Sequence, residues 1–319
     1  MTNRVSVPTM HTDEEATDAE LVRRLLSAQF PSWAELRIEP VLPAGTDNAI
    51  YRLGDDMCVR LPRLQSKTLP LEKELRWLPE IAPLLPLEVP VPLAVGEPAE
   101  GFPFRWSVYR WLDGTPASTD RIADLHQAAN ELAGFLIALQ RLDATGGPPP
   151  GQHNAFRGVP LSARDKAMRA SINSLGGAVD RAAVVSAWEA ALDASEWERR
   201  PVWIHGDLDL RNLLVKGGRL SAVIDFGCLG IGDPACDVAL AWKVLAGDAR
   251  DVFRTALHVD QSTWIRAQGW VLSQALMALS YYTVETNAVL VREARRWIAA
   301  VLADVTHPAT DVRSGRTYG

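Results

Sequence analysis

The pattern of apolar and polar positions divides the chain into a strand-rich first third and a helix-rich remainder. Near the N-terminus, Thr17-Asp18-Ala19-Glu20 has the form of a capping box, and apolar positions with helical spacing follow it over 21–26. From residue 36 the pattern changes to three apolar runs, over 36–42, 49–53 and 57–61, separated by Gly- and Asp-containing turns. We therefore predict a helix and then an antiparallel meander of three strands.

The next segment adds a helix and two more strands. Leucines at 71, 75 and 78 share one face of a helix predicted over 69–78, and strands are predicted over 89–95 and 104–112. A polar break, Asp113-Gly114-Thr115-Pro116, then ends the strand-rich part. The pattern predicts a lobe boundary here, with residues 1–113 forming an N-terminal lobe and residues 114–319 a C-terminal lobe.

Beyond the break the apolar spacing is mainly helical. Helices are predicted over 121–142, 161–173, 178–195, 236–246, 249–257, 262–284 and 287–305. Two short strands, 213–215 and 220–224, lie around a Lys-Gly-Gly-Arg hairpin. The predicted fold class is therefore α+β and bilobal, with an antiparallel N-terminal sheet that carries one key helix and a mainly α-helical C-terminal lobe.

Composition narrows the class of protein. The chain of 319 residues is 47% hydrophobic and 23% charged, with a formal net charge of −6. This balance is typical of a soluble globular protein and disfavours a nucleic-acid partner. The apolar run over 270–282 is too short and too polar to span a membrane, and the polar N-terminus lacks the apolar region of a signal peptide. Three sparse cysteines suggest reduced thiols. We expect a cytoplasmic protein, monomeric or weakly dimeric.

The densest chemistry lies over 203–227. A strand-like run leads into His205-Gly206-Asp207, Asn212 follows five positions after Asp207, and Asp225 comes thirteen positions later in Asp225-Phe226-Gly227. Phosphoryl transfer needs positioning and charge neutralisation, and this order of residues is how kinase-type enzymes present their groups. Asp207 is the candidate catalytic residue, because it would accept or orient the proton of an attacking hydroxyl. Asn212 and Asp225 are the candidate Mg²⁺ ligands, because hard divalent cations prefer oxygen.

Each part of this motif has a plainer interpretation when taken alone, since Asp-Phe-Gly is usually only a turn. The conjunction of order, spacing and hairpin return favours catalysis. For His205 we favour a structural role, in which the ring fixes the loop through backbone hydrogen bonds. Asp233 and Asp237 fit helix capping and the helix dipole, and either is also a candidate to brace the loop that holds Asp207.

Upstream residues supply candidates for the nucleotide. Thr46, Asp47 and Asn48 form a loop that is either an ordinary solvated hairpin or a flap whose N–H groups cover phosphates. Glu74 flanks the apolar face of its helix, and Arg60 on the third strand is its candidate partner. This pair is either a structural salt bridge or the pair that holds nucleotide phosphates.

Three motifs together carry a family resemblance. His205-Gly206-Asp207-Leu208 with Asn212, Ile224-Asp225-Phe226-Gly227, and Gly232-Asp233-Pro234-Ala235 with Asp237 resemble the aminoglycoside phosphotransferase family. That family has the protein-kinase-like fold and includes aminoglycoside, macrolide and related small-molecule kinases. The resemblance covers roughly residues 36 to 245, and Gly206 stands where protein kinases usually have Arg.

The resemblance implies ATP or GTP as co-substrate, bound between the lobes with Mg²⁺, and a base that contacts the linker backbone at Arg110 and Leu112. One departure is Arg60, because the cation on the third strand is often Lys in these enzymes. A guanidinium can still pair with Glu74 and phosphate, but its planar fork differs from a point charge. Arg63 is the alternative cation, disfavoured by its position after Pro62.

The acceptor is the least determined partner. Cationic aminoglycosides would require carboxylates in the cleft, and an apolar acceptor such as a macrolide would require aromatic walls. The candidate carboxylates are Asp209, Asp233 and Glu285. The candidate aromatics are Trp242, Trp264, Trp270, Tyr281 and Tyr282, for which we favour core packing over a wall of the acceptor site.

The sequence therefore predicts a Mg²⁺-dependent O-phosphotransferase that acts on a small molecule, with an aminoglycoside-type antibiotic as the favoured acceptor. The alternatives are a macrolide or other antibiotic kinase, or a metabolite kinase for a sugar, choline or homoserine. A different class is a nucleotide-binding pseudokinase module, which the intact Asp207, Asn212 and Asp225 disfavour.

Overall fold

A computed structural model describes residues 14–42, 47–65 and 68–306. The first helix, α1 (Ala19–Gln29), begins one residue later than its sequence pattern suggests. Asp18 is the N-cap, and its carboxylate accepts from the N–H of Leu21 at 2.7 Å. Thr17 instead accepts a hydrogen bond from the Tyr51 hydroxyl at 2.9 Å. The predicted capping box is therefore wrong in its cap residue, because the side chain of Thr17 is committed to the sheet.

The N-terminal region contains a five-stranded antiparallel sheet in the order β1-β2-β3-β5-β4. Its strands are β1 (Ile38–Pro40), β2 (Asn48–Leu53), β3 (Met57–Pro62), β4 (Pro92–Gly96) and β5 (Trp106–Arg110). The helix α2 (Leu69–Ile81) comes between β3 and β4 in the chain. The predicted sheet and its helix are confirmed. β1, β4 and β5 are shorter than their apolar runs, and β2 and β3 each extend one residue beyond theirs.

Two apolar cores divide the molecule. In the first, Val22 and Leu25 of α1 pack against alternating side chains of β2 and β3, among them Tyr51, Val59 and Leu61. The second core lies in the helical region, and it includes Leu78 and Ile81 of α2. Because α2 contributes to the second core while its Glu74 reaches β3, this helix links the sheet to the region that carries the motif.

The C-terminal region is mainly helical, as predicted. Its helices are α3 (Leu125–Arg141), α4 (Asp165–Leu175), α5 (Arg181–Asp193), α6 (Ala235–Val238), α7 (Leu240–Lys243), α8 (Ala249–Ala256), α9 (Gln261–Tyr281) and α10 (Val284–Thr306). The single helix predicted over 236–246 is thus two short helices. Asn287 has a non-helical backbone inside α10, at the residue where the sequence pattern begins its last helix. None of the helices in the described ranges has the length and apolar character needed to cross a membrane.

Short strands frame the motif within this helical region. β6 (Thr115–Pro116), β8 (Leu213–Lys216) and β9 (Arg219–Val223) form one sheet in the order β6-β8-β9. β7 (Val202–Ile204) pairs antiparallel with β10 (Gly230–Gly232). The chain therefore runs from β7 through the β8–β9 hairpin to β10, which pairs with β7.

Candidate active site

The hairpin brings the two halves of the motif together. β7 delivers His205-Gly206-Asp207, a 3-10 turn (Leu210–Asn212) follows, and β8 and β9 pair antiparallel. At the open end of the hairpin, the N–H of Ile224 donates to the carbonyl of Asn212 at 2.9 Å. Because Asp225 directly follows Ile224, this bond holds Asp225 next to Asn212.

A buried carboxylate holds the first turn of the loop. Asp237 is fully buried, and its two oxygens accept from the backbone N–H groups of His205 at 2.6 Å and Gly206 at 2.8 Å. Gly206 has a φ of 85°, and a Cβ built there would lie 2.8 Å from the carbonyl of Cys228. Only glycine fits such a backbone at this spacing, so Asp237 and Gly206 together determine how the chain enters Asp207.

The ring of His205 is used on both sides by backbone groups. Its Nε2 lies 3.1 Å from the carbonyl of Ile224, and its Nδ1 accepts from the N–H of Asp207 at 3.2 Å. A carbonyl only accepts and a backbone N–H only donates, so Nε2 carries the proton and Nδ1 is bare. With both nitrogens occupied, His205 connects the loop to the strand that precedes Asp225 and is not free to act as a base.

Asn212 is oriented by Asp207. Its amide nitrogen donates to the backbone carbonyl of Asp207 at 2.8 Å and lies 3.4 Å from a carboxylate oxygen of the same residue. Because the amide nitrogen is used in these contacts, the amide oxygen of Asn212 is the atom left for a cation. This orientation is the one a metal ligand requires.

The pKa values of Asp207 and Asp225 are shifted in opposite directions. Burial opposes the ionisation of Asp207, but the charges of Arg157, Lys243 and Arg211 outweigh it, so the pKa of Asp207 lies below its usual value. Burial, followed by the charge of Asp207, raises the pKa of Asp225. Asp207 is thus the carboxylate kept ionised by the protein, whereas the charge of Arg60 offsets only part of the effect of burial and of Asp207 on Asp225.

The residues fit a Mg²⁺ ion at Asp225. Its backbone is left-handed, with a φ of 65°, a conformation that Asp and Asn adopt more readily than other side chains. Its carboxylate contacts the N–H of Gly227 at 3.4 Å. No group of three or more His, Cys, Asp or Glu side chains suited to a metal occurs within the described ranges. A site with one carboxylate and one amide is nevertheless ordinary for Mg²⁺, which takes its other ligands from phosphate and water.

The predicted pair on the nucleotide side is formed. Arg60 of β3 lies 3.1 Å from Glu74 of α2, and both side chains are largely buried. The Tyr109 hydroxyl donates to the same Glu74 oxygen, and the Arg60 guanidinium lies 4.8 Å from the Tyr109 ring centroid. The alternative cation, Arg63, is instead paired with Glu14, and both side chains are buried. Arg60 is therefore the cation that faces the motif.

Lys73 is a functional candidate that the sequence analysis missed. Its ammonium donates to the carbonyl of Gly227 at 2.7 Å and to the carbonyl of His153 at 3.3 Å. Burial lowers the pKa of Lys73 to about 8. Nothing in the sequence distinguishes it from a solvated lysine on the polar face of α2, because both partners come from distant segments.

Two further cations were missed beside Asp207. Arg157, in the loop after α3, lies 3.6 Å from the Asp207 carboxylate and is only 15% exposed. Lys243 of α7 is 2% exposed, and its charge acts on Asp207 and Asp209. Their positions depend on tertiary contacts, so only the unusual burial of these charges identifies them.

The predicted nucleotide loop and linker are only partly described. Thr46 lies outside the described residues. The backbone carbonyl of Asp47 accepts from the N–H of Arg63 at 3.0 Å, and Asn48 begins β2 opposite Pro62. Both residues therefore lie where β2 begins and β3 ends. In the linker, the N–H of Arg110 donates to Val91 at 3.2 Å. A base contact at Arg110 would therefore have to use its carbonyl.

Two of the candidate acceptor carboxylates are already paired. Asp209 is 1% exposed and binds Arg211, with oxygen–nitrogen distances of 2.5 and 3.1 Å. Asp233 is also buried, and its two oxygens lie 2.8 and 3.1 Å from Arg266, while it also accepts from the N–H of Ala235 at 2.9 Å. The prediction that these two bind the acceptor is corrected: they stabilise the loop and the start of α6.

The aromatic candidates separate into two groups. Trp242 and Trp270 are fully buried and Trp264 nearly so, and all three belong to the helical core. Core packing, the interpretation favoured from the sequence, is therefore correct for these three. The alternative role as an acceptor wall is corrected, because no face of Trp242 or Trp270 reaches solvent. Tyr281, 79% exposed, contacts Tyr282 edge-on at 4.7 Å between centroids. Glu285 is exposed nearby, and these three residues remain candidates for acceptor binding.

A cavity of about 920 Å³ lies behind the linker. Its walls include Arg110, Trp111 and Asp113, together with Lys216 and Ser221 of the hairpin. None of the motif residues lines it, so this cavity is separate from the cleft that contains Asp207.

A family model described as the phosphotransferase enzyme family, APH, matches residues 39–270. The chain belongs to this family. Membership confirms the predicted enzyme class, a small-molecule kinase, and the kinase-like fold. The match contains β1 to β10 and therefore the whole constellation around Asp207.

Solved structures support the same fold at low sequence identity. The GDP complex of wild-type aminoglycoside 2'-phosphotransferase-IIIa is 17% identical, with a TM-score of 0.70 over 91% of this chain and 100% of that one. An ADP-bound aminoglycoside phosphotransferase, APH(2'')-Ib, is 15% identical, with a TM-score of 0.57 over 89% and 98%. Macrolide 2'-phosphotransferase MphH from Brachybacterium faecium is 21% identical, with a TM-score of 0.58 over 93% and 99%. The search of curated proteins produced no match.

Proposed function

We propose that this protein transfers the γ-phosphate of ATP or GTP to a hydroxyl of a small molecule in a Mg²⁺-dependent reaction. The observation that carries the proposal is the convergence of Asp207, Asn212 and Asp225. The side-chain amide nitrogen of Asn212 donates to the backbone carbonyl of Asp207 at 2.8 Å. The backbone carbonyl of Asn212 accepts from the N–H of Ile224, next to Asp225, at 2.9 Å. These bonds join the candidate acceptor side and the candidate metal side of one site.

Asp207 would orient the attacking hydroxyl and take its proton as the new bond forms. Because nearby cations lower its pKa, the carboxylate is ionised near neutral pH and serves chiefly as an acceptor of the hydroxyl hydrogen. Asn212 and Asp225 would hold Mg²⁺, which when bound neutralises charge on the phosphates. Arg60, fixed by Glu74, would contact the phosphates from the sheet side.

Related structures favour a nucleoside triphosphate as the donor without selecting the base. One neighbour is described as a GDP complex and another as ADP-bound. Backbone contacts at Arg110 and Leu112 would suit either purine. We therefore propose both ATP and GTP as donors to be tested.

The acceptor is a hydroxylated small molecule. An aminoglycoside-type antibiotic is the sequence-based expectation, and the neighbours are named as aminoglycoside and macrolide phosphotransferases. The paired state of Asp209 and Asp233 removes two of the three candidate carboxylates for a polycationic acceptor and leaves Glu285. The positive charges beside Asp207 therefore influence which class of acceptor can bind.

The proposal is tested by nucleotide binding in the presence and absence of Mg²⁺. We expect Asp225→Ala to lose the Mg²⁺-dependent part of the affinity, at least about tenfold, because the metal loses its only carboxylate ligand. Asp120→Ala, a change at an exposed residue, is the matched control. Equal Mg²⁺-dependent affinity in Asp225→Ala and the wild type would exclude the proposed metal site.

A further inference from the structure

Arg157, which lies 3.6 Å from the Asp207 carboxylate, has two buried cations near it, Arg164 and Lys243. Burial and, second, the charge of Arg157 lower the pKa of Arg164 to about 10. Burial also lowers the pKa of Lys243, and Arg157 is among the charges that act on it. Arg157 is therefore close enough to repel each of the other two cations.

Anionic compensation differs between the two arginines. Burial opposes the charged form of Arg157, but the charge of Asp207 outweighs it and raises the pKa of Arg157. Arg164 donates to the Ser273 hydroxyl at 2.8 Å and the Ala155 carbonyl at 3.3 Å, both neutral groups. Arg157 has one carboxylate neighbour, Asp207, at 3.6 Å, and its Nε is buried without a hydrogen-bond partner in the part of the chain that the structure describes. Asp207 is therefore shared: its Oδ1 faces Arg157, and the same carboxylate is the group that would bind the acceptor hydroxyl.

Lys243 is the most unusual of the three. Its side chain is 2% exposed, and the only contact seen for its ammonium among the described residues is with the Trp297 ring, 5.2 Å from the centroid. The nearby carboxylate Asp209 is already paired with Arg211. An ammonium buried without an ion-pair partner is costly, and such costs persist mainly where a charge serves a ligand.

We propose that Arg157, Arg164 and Lys243 form a binding site for an anionic group, a carboxylate or phosphate, carried by the acceptor whose hydroxyl Asp207 orients. This inference rests on the proposed function. Arg157 and Lys243 make the direct contacts, and Arg164 adds positive charge behind Arg157. A polycationic acceptor is disfavoured at this site, because its amines would meet these like charges beside Asp207.

Binding is tested with three six-carbon probes of different charge: gluconate, sorbitol and glucosamine. The full chain is saturated with Mg²⁺ and ADP, and the shift in Tm with probe concentration gives the affinity. We expect gluconate to bind at least about tenfold more tightly than sorbitol, and glucosamine to bind most weakly. Equal binding of all three probes would overturn the inference.

A second arm distinguishes an acceptor anion from the transferred phosphoryl group. The titration is repeated with Mg²⁺ and a non-hydrolysable triphosphate analogue, which fills the γ-phosphate position. Gluconate binding that survives this exchange supports an acceptor site. Binding that is lost would assign the three cations to the transferred phosphoryl group and overturn the inference.

Lys243→Met tests the cluster itself, with Lys166→Met on the exposed face of α4 as control. We expect Lys243→Met to reduce gluconate affinity about tenfold while the Tm of the ligand-free protein stays equal or rises, because an uncompensated charge has been removed. A lower Tm with unchanged gluconate binding would show that Lys243 is structural.

Nucleotide binding in the same samples separates the two hypotheses. Mg²⁺-dependent nucleotide binding without a preference for gluconate would retain the proposed function and refute the anion site. Absence of nucleotide binding would refute the proposed function, and gluconate binding in nucleotide-free protein would still report on the cluster.

Discussion

Asp237→Asn tests how the catalytic loop is held. The wild-type carboxylate accepts from two backbone N–H groups, of His205 at 2.6 Å and Gly206 at 2.8 Å, in a fully buried position. An asparagine offers one oxygen and one amide nitrogen, so one N–H must face another donor. The change keeps the volume of the side chain and removes one acceptor.

The expected loss follows from this geometry. A buried N–H left without a partner costs about 1–3 kcal/mol. Burial raises the pKa of Asp237, so the neutral amide recovers part of the cost of burying a charge. We therefore expect the free energy of unfolding to fall by about 1–2 kcal/mol. Because Gly206 precedes Asp207, the loop should shift, and a displacement near 1 Å can reduce the rate about a hundredfold.

The assay compares urea unfolding with the initial rate of nucleotide turnover. Asp260→Asn is the matched control, since Asp260 caps α9 by accepting from the N–H of Thr263 at 2.8 Å and lies outside the motif. Because Asn caps a helix about as well as Asp, this change should alter stability by less than about 1 kcal/mol and leave turnover unchanged. The reasoning is refuted if Asp237→Asn retains wild-type turnover, or loses no more turnover than Asp260→Asn.

Two other changes follow from the structure. Lys73 has a folded-state pKa of about 8 against 10.5 when unperturbed, so the unfolded chain binds more protons between these two pH values and stability should rise with pH across this window. In Lys73→Met, this rise in the free energy of unfolding by urea should be absent. A pH profile identical to that of the wild type would contradict the assignment. Gly206→Ala should destabilise the fold by more than about 1 kcal/mol and strongly reduce turnover, because φ is 85° and the new Cβ would meet Cys228; wild-type melting and turnover would show that the loop tolerates a side chain here.

Local spacing predicted the parts of the site that lie close together in the chain. The interval from Asp207 to Asn212 and the hairpin return to Asp225 are properties of one continuous segment, and they follow from turn residues and strand-forming runs. The pairing of Arg60 with Glu74 was also accessible, because a carboxylate beside an apolar helix face needs a partner and β3 offers a cation. The structure has these two groups 3.1 Å apart.

Residues that depend on packing between distant segments were not predictable. Lys73 meets Gly227 across 154 positions of sequence, and Lys243 reaches the Asp207 side from α7. The role of the aromatic residues could not be decided from sequence for a related reason, since helical spacing does not distinguish a core tryptophan from one that lines a cleft. The structure has Trp242 and Trp270 in the core. Asp209 and Asp233 are likewise misread from sequence, since their partners Arg211 and Arg266 are identified only by the folded chain.

The central claim is that Asp207 orients the hydroxyl that receives the phosphoryl group. The most direct measurement is Mg²⁺-dependent nucleotide consumption by Asp207→Asn, with the acceptor that the wild type phosphorylates fastest, alongside nucleotide affinity. The account predicts that kcat falls by about 10²–10⁴ while nucleotide affinity is retained. Turnover equal to that of the wild type would contradict it.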